Sequence, residues 1–178
     1  MTTAATAATA RIPHPHEITL REAQENVRLA MVQKGKIPRC PCCGQPAKRY
    51  RRLLNSNMAE ALVRIKQEHD RHPEQEWIDV PHLLKNTPRR WSNGEWGGDY
   101  AKLRYWGLLE QATGLRADGS NRNGSWKITL LGIRFARGEV RVASHAFDFN
   151  GECLGLDDFE VINIRGVHNF NYEELIQS

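Results

Sequence analysis

Cys40-Pro41-Cys42-Cys43-Gly44 is the stretch of this chain best suited to chemistry. Cys40 and Cys43 are separated by two residues, a spacing that lets both sulfurs point at one tetrahedral ion. The glycine behind them permits the tight turn whose amides stabilise thiolates. A structural zinc is the expected occupant. A buried cysteine-rich turn is the alternative; a redox dithiol fits less well, because no strand–helix context of the thioredoxin type surrounds the pair.

The remaining ligands have to come from outside the turn, since the chain has four cysteines and no second Cys-x-x-Cys pair. Cys42 ranks below its neighbours because adjacent ligands strain a chelate, and Cys153 reads as core filler in a strand. His14 and His16 lie at the far end of a first helix that spans on the order of 25 Å. The short return from Gly35 to Cys40 covers only about 17 Å. His69-Asp70-Arg71-His72, at the end of a second helix, is within reach of the long segment that follows Cys43. Cys40, Cys43, His69 and His72 are therefore the expected Cys2His2 set. Solvated surface histidines, or one zinc shared by the knuckles of two subunits in a homodimer, are the other solutions.

The elements that position these residues follow from periodicity and punctuation. Thr19-Leu-Arg-Glu22 is a capping box, and Leu20, Ala23, Val27, Ala30 and Met31 continue at helical spacing toward Gly35. A second helix starts near Ser56 or Asn57, shows Met58, Ala61, Leu62 and Ile65 on one side, and stops at His72-Pro73. Trp77–Val80 reads as a short strand, Pro81–Lys85 as a short helix, and Thr87–Gly97 as a loop carrying Arg89, Arg90, Trp91 and Trp96. Gly98–Glu110 is expected to be a helix capped by Asp99, with Leu103, Trp106 and Leu109 facing the core. A polar hairpin, a strand from Ser125 and a helix capped by Thr129 and ended by Gly138 follow. Beyond Glu139 the signal is β, with Asn150-Gly151 as a two-residue hairpin turn and Tyr172–Ile176 as a last helical turn.

"KLRYWGLLE", a hairpin and "WKITLLGIRFARG" together resemble the winged-helix domains of MarR-type regulators, which run as a helix ending in Gly-Leu-Ile-Glu, a wing, then a Leu-Thr-x-x-Gly helix start. The resemblance covers roughly residues 57–138. A winged helix behind a CPxCG knuckle is also similar to small phage and mobile-element proteins. The resemblance implies that the second helix of the helix-turn-helix enters the major groove while the wing contacts the backbone. By position it places Lys102, Arg104 and Tyr105 on the reading helix, Arg122 at the wing tip, Arg116 at its base and Lys127 on the return strand. Arg89 and Arg90 precede the helix, and Lys48, Arg49, Arg51 and Arg52 form a basic run beside the knuckle. Such cations neutralise phosphates and release counterions; sequence choice would need Arg104 and Tyr105 at base edges. Glu95 and Asp99, with Gly94, Gly97 and Gly98, put acid and glycine where a groove is first approached.

Bulk composition permits this and demands little. Lys and Arg number 25 against 21 Asp and Glu, for a net charge of +4 and a pI near 9.0. No run reaches the ~18–20 apolar residues of a membrane span, and Met1–Ala10 lacks the basic and apolar segments of a secretory signal. A cytoplasmic setting is expected. No nucleotide-binding glycine loop or Gly-x-Ser-x-Gly elbow is present, so no enzyme is expected. The expectation is an α+β winged helix-turn-helix with a tail over 1–16, an N-terminal helix and zinc-knuckle segment over 17–55, the winged-helix domain over 56–138 and a C-terminal β-hairpin extension over 139–178. It would act non-enzymatically on nucleic acid, duplex DNA foremost, as a regulator or accessory factor of phage or bacterial origin. The alternative is a protein-interaction adaptor, such as a phage factor docking on a host protein, with Trp91 and Trp96 as anchors.

Overall fold

The computed structural model describes residues 19–32, 38–91, 96–114, 119 and 124–177. The tail over 1–16, His14, His16, Gly35, Gly94, Glu95, Arg116 and Arg122 lie outside the described residues. The chain divides after Arg49 into two compact units.

In the first unit the capping box forms as its residue types require. The Glu22 amide donates to Thr19 Oγ1 at 3.2 Å, and the Thr19 amide donates to Glu22 Oε2 at 2.7 Å. The helix α1, Leu20–Val32, buries Ala23, Val27 and Met31 at successive four-residue steps. Leu20, in the first turn, stays exposed. The knuckle follows at Cys40.

The second unit is a mixed α+β body with two antiparallel three-stranded sheets. Its elements run β1 (Tyr50–Leu53), α2 (Ser56–Arg71), β2 (Ile78–Asp79), α3 (Val80–Lys85), a 3-10 segment (Gly98–Trp106), β3 (Leu109–Gln111), β4 (Ser125–Ile128), α4 (Leu130–Ala136), β5 (Val142–Phe149), β6 (Glu152–Ile162), a 3-10 turn (Ile164–Gly166) and α5 (Tyr172–Ile176). One sheet has the order β2-β4-β3 and the other β1-β5-β6. Side-chain caps start five of the helical pieces. Asn55 accepts from the Met58 amide, Asp79 from His82, Thr129 from Gly132, Asn163 from Arg165 and Asn171 from Glu174. Asn150 and Gly151 both take positive φ, 50° and 81°, the pairing a tight two-residue β-turn needs.

The 3-10 segment departs from expectation. The helix predicted to run to Glu110 ends at Trp106, because Gly107 turns left-handed at φ 67° and the chain enters β3 at Leu109. Asp99 does not cap it. Gly97 occupies the cap position, and the Asp99 carboxylate, one step inside, takes the Lys102 ammonium at 2.5 Å. Leu103, Trp106 and Leu109 do face the core.

That core is continuous across both sheets. It joins Leu62 and Ile65 of α2, Leu84 of α3, Trp126 of β4, Phe135 of α4, Ala146 of β5 and Leu175 of α5. The residues from Glu139 on, expected as an extension, thus contribute to the same core and belong to the same compact unit. Gly132 sits where α4 crosses the end of the 3-10 segment. A Cβ there would lie 2.1 Å from the Leu108 carbonyl oxygen, against backbone that cannot yield cheaply. Gly132→Ala is expected to lower stability by about 2–3 kcal/mol, the upper part of the overpacking range, whereas Gly98→Ala, with open space around its Cβ, should shift the urea midpoint little. Equal midpoints for the two variants would refute this packing.

Candidate functional site

The knuckle is built as a ligand turn before any ion is considered. The Gly44 amide donates to the Cys40 carbonyl at 2.7 Å, and the Cys40 amide to the Gln45 carbonyl at 2.8 Å. Arg39 and Pro46 bridge as an antiparallel pair, and the Arg39 guanidinium donates to the Gly44 carbonyl at 2.9 Å. Gly44 takes φ +70°, which a side chain would resist. The backbone amides of Cys43 and then Cys42 donate to the Cys40 sulfur, holding its thiol below the usual range. Cys42 goes the other way. Desolvation and then the charge of Cys40 push its thiol up. The two shifts run in opposite directions. Cys42 and Cys43 are exposed and Cys40 is half-buried. Cys40 and Cys43 could hold two corners of a tetrahedral ion.

The histidine half of the expected set stands apart in its chemistry. His72 Nε2 lies 3.8 Å from Glu68 and its Nδ1 lies 3.6 Å from Glu74, so its ring faces carboxylates. Among the described residues no three His, Cys, Asp or Glu side chains come together as a metal-holding group.

The candidate nucleic-acid contacts are, for the most part, tied to the protein itself. Arg104 Nη2 and Tyr105 Oη both donate to the Gly151 carbonyl at 2.9 Å, at the tip of the β5–β6 hairpin. Next to them Trp106 Nε1 donates to the Ala143 carbonyl at 2.6 Å. The C-terminal half of the presumed reading segment is therefore seated on the β1-β5-β6 sheet. Lys102 pairs with Asp99. Lys127 pairs with Glu76 at 3.1 Å and Glu110 at 3.3 Å over the face of Trp77, and these hydrogen bonds raise its affinity for the proton. Arg51 bonds Asp157 at 2.9 Å and Arg52 bonds Asp148 at 2.8 Å. The hydrogen bond to Asp148 raises the Arg52 pKa, and the bond from Arg51 lowers that of Asp157. Arg89 donates to Asn57 Oδ1 at 2.5 Å and stacks over Trp96, while Arg90 reaches Glu174 at 3.4 Å. Lys48 and Arg49 are exposed in the first unit.

Pro81, Leu84, Pro88, Trp96 and Tyr100, with Lys85 and Arg89 among the polar groups, line an open hollow of about 780 Å³. The Trp96 indole N–H donates to the Thr87 carbonyl at 2.6 Å, fixing one wall. No family model, curated protein or solved structure matches the chain. Among the described residues no helix is long and apolar enough to cross a membrane.

One buried group went unnoticed in the sequence. Glu60 sits on the inner side of α2 with no exposure, receives the Arg90 amide at 3.3 Å on both oxygens, and faces Arg64 at 4.0 Å. The signal was there: a lone acid inside Met58-Ala-Glu-Ala-Leu-Val63 falls in the apolar stripe. Burial raises its carboxyl pKa more than the Arg90 amide lowers it. A folded pKa above the unfolded one, about 4.3, means the unfolded chain loses its proton first. Stability should then fall as pH rises from about 4 toward the folded value. Glu60→Gln is expected to flatten that slope in urea midpoints taken across acid to neutral pH; a variant that keeps the wild-type slope would assign it to other groups.

Proposed function

We propose that this chain is a non-enzymatic docking protein built on a winged-helix frame, rather than a reader of duplex DNA. The frame is supported by the succession α2, β2, α3, 3-10 segment, β3, β4 and by the strand order β2-β4-β3, in which the hairpin β3–β4 stands as the wing. The observation that carries the functional half is the seating of Arg104 and Tyr105 on the Gly151 carbonyl. A helix that enters a major groove has to present those side chains outward. Here they bind the protein's own hairpin, and the free end of the segment offers Gly97, Gly98 and an Asp99–Lys102 pair that is close to neutral.

The docking element we favour is β6. It is an edge strand of eleven residues, and among the described residues no strand pairs with its outer side. Phe159 on it is 92% exposed, with Leu156 and Val161 also exposed and Asp158 and Glu160 between them. An edge of this kind invites strand addition. Its alternation of apolar and acidic side chains suits an extended segment of a partner protein that carries apolar and basic residues. Lys127, Arg51 and Arg52, already neutralised by carboxylates, have less charge to offer a polyanion.

Two measurements decide between the readings. The intact chain, titrated with duplex DNA over a salt series, is expected to show no tight, steeply salt-dependent binding. Captured from a bacterial extract, one discrete partner is expected to be retained by wild type and by Arg104→Ala, and lost with Phe159→Asp plus Val161→Lys at unchanged circular dichroism. Hydrogen exchange should then slow at the β6 amides in the complex. Salt-steep duplex binding that disappears with Lys48→Ala plus Arg49→Ala would restore the nucleic-acid reading.

A further inference from the structure

We infer that the hollow lined by Trp96, Tyr100, Lys85 and Arg89 is a binding site for a nucleotide, with the base against the two aromatic rings and the phosphate on the two cations. The inference is independent of the docking role of β6. It stands on the size, the lining and the preparation of the hollow, all within the second unit.

The rings are held before anything binds. The Trp96 indole N–H donates to the Thr87 carbonyl at 2.6 Å, and the Arg89 guanidinium lies 5.4 Å from the Trp96 ring centroid. Arg89 is itself anchored by a bond to Asn57 Oδ1. Tyr100 meets the buried Trp126 edge-on, with centroids 5.7 Å apart. A ring already fixed loses little freedom when a base stacks on it. Leu84, Pro81 and Pro88 extend the apolar wall. The engaged indole has no second donor, so an extended peptide laid here would find no hydrogen bond from Trp96.

The charge around the hollow has one sign. No carboxylate is among its lining residues. Asp99 lines an adjoining recess of about 150 Å³, where its carboxylate takes Lys102. Lys85 is exposed at the end of α3 and reaches no carboxylate among the described residues, whereas Arg51, Arg52 and Lys127 each do. Two cations suit the nearly dianionic charge of a phosphomonoester better than the single charge of a carboxylate. The volume, about 780 Å³, falls inside the range of small-molecule sites, roughly 300–1,000 Å³. It has room for a base, a sugar and a phosphate, of which a lone aromatic acid would fill only part. Gly97 and Gly98 leave open space where side chains would stand. A free mononucleotide and a base within a single strand both offer this chemistry.

The test is calorimetric titration of the full chain with AMP, adenosine, inorganic phosphate, benzoate and a single-stranded oligodeoxyadenylate. AMP is expected to bind, with adenosine and inorganic phosphate each at least roughly tenfold weaker, because each makes only part of the contacts. Lys85→Glu, at an exposed position, should weaken AMP by about tenfold or more and leave adenosine unchanged. Trp96→Leu should weaken both. Phe159→Asp should leave AMP binding intact, so this inference and the β6 reading fail separately. An oligodeoxyadenylate that binds more than about tenfold tighter than AMP, with steep salt dependence, assigns the site to single strands; equal affinity assigns it to free nucleotide. Three results would overturn the inference: neither AMP nor the oligomer binding at millimolar concentration, benzoate binding as tightly as AMP, or AMP binding that survives both Lys85→Glu and Trp96→Leu.

Discussion

Trp106 is the joint of the second unit. Its indole is buried, and its N–H donates to the Ala143 carbonyl of β5. A tryptophan can be taken out of water in this way only if that N–H finds an acceptor, since an unpaired buried donor costs about 1–3 kcal/mol. The bond fixes the end of the 3-10 segment against the β1-β5-β6 sheet. Beside it, Tyr105 and Arg104 both donate to the Gly151 carbonyl at the hairpin tip. Gly107 reverses the chain directly afterwards, and β3, β4 and α4 hang from that turn through Thr129, whose hydroxyl reaches the Gly107 carbonyl at 2.6 Å. The two sheets share a single core because this joint brings them together.

The same joint controls what the surface offers. Fold alone does not assign a role. In this chain Arg104 and Tyr105 of the 3-10 segment are spent on internal contacts. The charges show a matching economy. Arg51, Arg52 and Lys127 each reach a carboxylate within 3.1 Å. Exposed pairs of this kind add little stability, yet they lower the local potential a phosphate would feel. Among the described residues no strand pairs with the outer side of β6, along which apolar and acidic side chains follow one another.

The knuckle illustrates a different kind of economy. Its geometry is local, set by five consecutive residues and the hydrogen bonds that close them. It therefore needs nothing from the core of the second unit to be correct.

Much of the local structure was legible from residue types. The Thr19 capping box, the start of α2, the proline-led α3, the Thr129 cap and the Asn150-Gly151 turn all depend on neighbours a few positions apart, where short-range sterics and hydrogen bonds dominate. The cysteine turn is of the same kind. Three things were not legible. Asp99 fits a cap by type, and only the register of the 3-10 segment moved it inside to meet Lys102. The position of Glu60 in an apolar stripe is legible, but its partner, the Arg90 amide that closes over it from a loop thirty residues on, is not. Arg104 and Tyr105 read as an outward face until β5 and β6, some forty residues later in sequence, fold back under them. Sequence alone determined the caps, turns and knuckle, because their energies are set within one or two turns of chain. Only the tertiary structure decided which polar side chains remain available to a partner, because that depends on long-range contacts whose partners no local pattern names.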